Sequence, residues 1–102
     1  MYIHLVMWKL KDEAGGKTKE ENAIEMKKRL DALPAVIKEI RQYDVNINIG
    51  SYGASFYDLG LVASYDNVDD FWAYTKYPEH DAVLEFIQSI QEDEQIVDYE
   101  QD

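Results

Sequence analysis

The stretch Tyr2-Ile3-His4-Leu5-Val6-Met7-Trp8-Lys9-Leu10 decides the fold. Successive side chains of an extended chain point to opposite sides. Tyr2, His4, Val6, Trp8 and Leu10 therefore share one side, and Ile3, Leu5 and Met7 share the other. A strand that is apolar on both faces is covered on both faces, so this one belongs in the middle of a sheet.

Working outward, Lys11 to Lys17 contains Gly15-Gly16 and reads as a turn. Thr18 and Glu21 form a T-x-x-E capping box, which supplies acceptors for the free N–H groups of a helix start. The helix that follows places Ala23, Met26, Leu30 and Leu33 on one stripe, and Pro34 closes it. From Tyr43 to Ile49 the period falls to two: Tyr43, Val45, Ile47 and Ile49 alternate with Asp44, Asn46 and Asn48, as in a half-buried edge strand. Gly50 to Ser55 is a loop between strands and has no lysine-serine ending, so it is not a phosphate-binding loop. A third strand is expected from Tyr57 to Tyr65, with Gly60 marking a bulge or a close backbone approach. Asp66 or Asn67 caps a short helix whose stripe is Val68, Phe71, Trp72 and Thr75. Pro78 fits a helix first turn and holds Tyr77 extended, so a new helix starts there and runs to about Ile90. Ile96 to Tyr99 is the last strand.

The order β-α-β-β-α(α)-β is the split βαβ plan of ferredoxin-like domains. It predicts an α+β fold with one four-stranded antiparallel sheet and helices on one face only. The first and third strands are central and the second and fourth are edges. Ile3, Leu5 and Met7 then form an apolar patch on the uncovered face. Large exposed patches mark partners, and the expected partner is a second copy, a homodimer with two sheets face to face.

A chain of 102 residues with 46% hydrophobic content allows one domain with a single two-layer core. With no cysteine, disulfides, thiolate nucleophiles and cysteine metal sites are excluded. A net charge of −11, with carboxylates gathered towards Asp102, repels phosphate backbones and argues against nucleic acid. No stretch approaches the roughly 20 apolar residues of a membrane span and no leader pattern opens the chain, so a cytoplasmic protein is expected.

The candidate site lies around Tyr74-Thr75-Lys76-Tyr77-Pro78-Glu79-His80. His80, Val83, Leu84 and Ile87 follow the i, i+3, i+4, i+7 spacing, which turns the imidazole towards the core. An imidazole titrates near pH 6.5 and exchanges protons at neutrality. Tyr74 lies across the Pro78 break, within reach of that ring or of a ligand oxygen. The same spacing suits a histidine packed structurally at the helix junction. Trp8, Phe71 and Trp72, with Val6 and Val83 beside them, either line a ligand pocket or fill the core. Neither metal nor cofactor is expected: there are two histidines, and Glu79 and Asp81 point about 100° to either side of His80 on a helix.

Taken together, Ile3-His4-Leu5-Val6, Lys9-Leu10-Lys11, Tyr57-Asp58-Leu59, Tyr74, Tyr77-Pro78-Glu79-His80 and Val97-Asp98-Tyr99-Glu100 resemble the stress-responsive alpha/beta barrel (Dabb) domain family of dimeric α+β barrels. The match runs over nearly the whole chain. Tyr74 and His80 align with the catalytic tyrosine and histidine of a plant polyketide cyclase of that family, and His4 with a further histidine of its first strand. Trp8 stands where that enzyme has a smaller apolar residue in its pocket. The resemblance implies a small apolar or aromatic carbonyl compound as ligand. The chemistry implied is cofactor-free proton transfer with aldol-type cyclisation or isomerisation. His80 would act as general base, with His4 holding its second nitrogen or a thioester oxygen. Two other readings remain: a non-enzymatic, stress-associated oligomer, and a monooxygenase built on the same barrel, cofactor-free or haem-degrading.

Overall fold

The computed structural model of the protein describes residues 1–54 and 56–102. Ser55, the last residue of the expected loop, lies outside the described residues. The elements are β1 (Tyr2–Leu10), β2 (Glu13–Ala14), β3 (Lys17–Thr18), α1 (Lys19–Asp31), a 3-10 turn (Leu33–Ala35), β4 (Gln42–Ile47), β5 (Leu59–Tyr65), α2 (Val68–Thr75), α3 (Pro78–Ile90) and β6 (Gln91–Glu100). The sheet order is β4-β5-β1-β6, with every neighbouring pair antiparallel. β1 and β5 are central, as the two-sided apolar character of β1 requires.

The capping box at Thr18 forms in full: Thr18 Oγ1 accepts from the Glu21 N–H, and a Glu21 carboxylate oxygen accepts from the Thr18 N–H at 2.9 Å. α1 buries Ala23, Met26 and Leu30 and gives way to the 3-10 turn at Leu33-Pro34, where the proline ring stops the α-helical ladder. Asn67 rather than Asp66 caps α2, accepting from the Asp70 N–H. Asp66 is instead held by the Arg41 guanidinium. Pro78 opens α3 after an extended Tyr77, as its ring geometry demands.

Three local expectations change. The Lys11–Lys17 turn contains a small hairpin, β2–β3, closed by Gly15 and Gly16 at φ of 61° and 76°. Two successive positive φ values are what a tight hairpin turn needs, and glycine supplies them without strain. Gly60 sits in regular register between Met7 and Asn46, and a Cβ added there would meet only Val6 O at an ordinary 3.8 Å. The irregularity falls between Lys9 and Leu10, where the β6 partner jumps from Asp93 to Gln91. The last strand begins at Gln91, well before the Ile96 expected from apolar residues, because backbone pairing with β1 carries the polar run Gln91 to Gln95.

The core lies between the sheet and the helices. Val6, Trp8 and Leu10 from β1, Leu59, Leu61, Ala63 and Tyr65 from β5, and Met26, Leu30, Phe71, Tyr74, Val83, Ile87 and Ile90 from the helices are all buried in it. Among the described residues, the opposite face of the sheet carries no helix. Met7, Val62, Val97 and Tyr99 are exposed there, and Leu5 is half-buried between Val62 and Val97. Ile3 departs from the expected patch, since it is already buried within the protomer. Among the described residues, no helix is long and apolar enough to cross a membrane.

Candidate functional site

A cavity of about 300 Å³ lies between the sheet and α3. Its walls take His4, Val6 and Trp8 from the helix side of β1, Leu61 from β5, Tyr43 from β4, and Glu94 and Ile96 from β6. Phe71, Tyr74, His80, Val83 and Ile87 close it from the helices. Gln88 and Ile96 also line it and are exposed, so it opens between α3 and the edge strand.

His80 stands in the first turn of α3, its side chain 17% exposed. Its Nδ1 is buried, has no hydrogen-bond partner among the described residues, and lies 3.9 Å from an Asp81 carboxylate oxygen. Burial holds the imidazole below its ordinary value and nearby His4 adds to this, while Asp81 and the Thr75 backbone work against them. The ring is therefore neutral at physiological pH and can accept a proton. The Tyr74 ring meets it edge-on at 4.6 Å between centroids.

Tyr74 belongs to a cluster of phenols. Its hydroxyl lies 2.7 Å from that of Tyr43, and its ring packs against Tyr65 and Phe71. Burial is the main cause that raises all three phenols, Tyr43, Tyr65 and Tyr74, above their ordinary values, so they remain protonated donors.

His4 is held from behind. Its Nδ1 lies 2.6 Å from an Asp98 carboxylate oxygen, directly across the β1–β6 ladder. An ionised carboxylate only accepts, so Nδ1 carries the proton and Nε2 is the nitrogen left for other chemistry. Asp98 also accepts from the Tyr2 hydroxyl at 2.6 Å, and burial together with Asp98 pushes that phenol up to about 12. Trp8 is fixed in the same manner, its indole N–H donating to Glu94 at 2.9 Å.

Of the residues singled out from the sequence, His80, Tyr74, His4, Val6, Trp8, Phe71 and Val83 all line this cavity. Trp72 does not: it is 55% exposed and packs edge-on against Phe71 from outside. Adjacent helical residues lie about 100° apart, and the buried stripe of α2 is Phe71 and Tyr74, which turns Trp72 to the surface. Tyr43, Glu94 and Asp98 are site residues that the sequence reading did not single out. A period-two reading of β6 carried back to Gln91 places Glu94, Ile96 and Asp98 on the helix side, and that is the signal that finds the last two. Among the described residues, no cluster of His, Cys, Asp or Glu has metal-holding geometry.

Comparison with solved structures places the fold in company. A dimeric protein of unknown function and ferredoxin-like fold from Bacteroides fragilis is 31% identical, with a TM-score of 0.80 over 98% of this chain and 95% of that one. A dimeric ferredoxin-like protein of unknown function from Thermobifida fusca is 26% identical, with a TM-score of 0.82 over 96% and 88%. Hydroxynitrile lyase from Passiflora edulis shares the fold at 14% identity, with a TM-score of 0.75 over 96% and 90%. No match was found among curated proteins. The family model for the stress responsive A/B barrel domain matches residues 3–101, nearly the whole chain, and the protein therefore belongs to the Dabb family.

Proposed function

We propose that the protein is a homodimeric barrel that binds a small apolar or aromatic carbonyl compound in the cavity beside His80 and moves a proton on it. The observation that carries this reading is His80 itself: a neutral imidazole with a buried, unpartnered Nδ1, set against an apolar cavity next to a protonated phenol. A carbon flanked by two carbonyls is acidic enough for such a base. His80 takes that proton, and the electron pair left on carbon delocalises into the enolate oxygen, towards which Tyr74 donates. In a longer polyketide the enolate carbon attacks a second carbonyl in the same chain and forms the ring bond. The resulting alkoxide then recovers the proton from the imidazolium. A substrate with no second electrophile takes the proton back at another carbon and is isomerised. His4, oriented by Asp98, offers its Nε2 to a second oxygen of the ligand. The same residues suit other carbon-acid proton transfers, and a base beside an apolar cavity is also what cleavage of a cyanohydrin calls for.

The test is deuterium exchange at the methylene of cinnamoylacetone in D2O, followed by NMR against a protein-free blank. The wild-type protein accelerates exchange, and His80→Ala loses about 10²–10⁴-fold of that acceleration, the usual worth of a positioned base. Exchange at the blank rate with the wild type, or undiminished exchange with His80→Ala, removes the proposal. The rival reading, an oligomer without chemistry, predicts the blank rate for both proteins and a loss of thermal stability alone.

A further inference from the structure

The cavity has polar groups at two ends and apolar walls between them. His4 and Trp8 stand four residues apart on the same side of β1, a separation of about 13 Å. Their β6 partners are Asp98 and Glu94. α3 runs in the same direction as β1, since the Lys11 N–H, just after β1, bonds to the carbonyl of Ile90 at the helix end. His80 therefore lies near His4, and Gln88, two turns on, lies near Trp8 and Glu94. Both Gln88 and Glu94 line the cavity.

Glu94 is the unusual member of this far end. One of its oxygens accepts from the Trp8 indole N–H. A carboxylate has about four acceptor positions, so most of its capacity is unused. Among the described residues no cation pairs with it, and no Lys or Arg lines the cavity. No cation in the cavity wall faces this half-buried carboxylate, in a chain of net charge −11.

Resting on the carbonyl-compound reading above, we infer that Glu94 sets the ligand class: an elongated, uncharged molecule whose carbonyl end meets His80 and whose other end carries a hydroxyl donated to Glu94. A ligand ending in a carboxylate or phosphate places like charge beside Glu94 and is rejected. A ligand ending in a methyl group leaves the carboxylate without the hydrogen bond and binds less tightly than the hydroxyl form. Gln88 at the rim adds a second polar contact for the same hydroxyl.

Three cinnamoylacetones that differ only in the para substituent, hydroxyl, methyl or carboxylate, separate the possibilities by calorimetry. In the wild-type protein the hydroxyl probe binds about tenfold tighter than the methyl probe, and the carboxylate probe about tenfold weaker than it. Glu94→Gln keeps an oxygen for the Trp8 indole and removes the charge. It narrows the carboxylate penalty to within about threefold and shrinks the advantage of the hydroxyl probe over the methyl probe. Equal affinities for the three probes in the wild type overturn the assignment of Glu94 while leaving the carbonyl reading intact. A carboxylate penalty that survives Glu94→Gln does the same. Failure of all three probes to bind overturns both.

Discussion

Met7 and Trp8 are neighbours in the chain and opposites in the molecule. Trp8 is 4% exposed, bonded to Glu94 and set in the wall of a cavity, whereas Met7 is 44% exposed on a sheet face with no helix over it. The same contrast runs along β1: Val6 and Leu10 lie in the core, while Leu5 stands between Val62 and Val97 on the open side. One side of the strand holds polar rings hydrogen-bonded to carboxylates across the ladder: His4 to Asp98 and Trp8 to Glu94. The other side offers a flat apolar surface. The cavity wall and the open apolar face are thus separated by a single peptide bond, and a substitution can address one without the other.

The largest effect expected from this separation is on the open side. A two-fold interface presents every substitution twice, so Met7→Asp sets two carboxylates against each other or against apolar partners. Sedimentation should show the wild-type dimer replaced by monomer, with the folded protomer retained because Met7 is half in solvent already. A monomeric wild type would break the comparison at its root. Next is Trp8→Ala, which empties a large buried side chain and should lower stability by about 3–5 kcal/mol in denaturant titration. Its dimerisation should be unaffected once folded. The smallest effect is acid-dependent. Burial depresses the His80 pKa in the folded state below its ordinary 6.5. The unfolded chain therefore binds this proton first, and the stability owed to His80 is complete above about pH 6.5 and declines as pH falls below it. His80→Gln should flatten that part of the stability curve at fixed dimer concentration. An identical slope in the variant would mean that the imidazole is not buried neutral.

Much of this division was legible before the structure. The alternation in Tyr2 to Leu10 distinguishes the two faces because a strand has only two sides. The capping box at Thr18 and the proline at Pro78 mark helix starts through local chemistry that tertiary packing has no reason to override. Where packing does decide, the sequence is less direct. Phe71 and Trp72 are equally apolar, and only the hydroxyl of Tyr74 reaching Tyr43 shows which stripe of α2 turns inward. Gln91 to Gln95 contains no apolar residue, so its pairing with β1 leaves no periodic hydrophobic trace. Glu94 was hidden for that reason, whereas Asp98 lies in the expected last strand and lacked only its register opposite His4. They belong to an acidic stretch that reads as a solvated surface until the register with Trp8 and His4 is known.

That acidic stretch has a bearing on how many copies of the protein can share a small volume. β6 is ten residues long and forms one margin of the sheet, where among the described residues no strand pairs with its outer edge. Such a margin is a template on which further strands can stack without limit. Glu92, Asp93, Glu94, Asp98 and Glu100 place negative charge along it, so a second β6 laid alongside brings carboxylate against carboxylate. Two of those carboxylates, Asp98 and Glu94, also hold a histidine and an indole, so the charge that disfavours edge-to-edge stacking is partly the charge that orders the cavity wall.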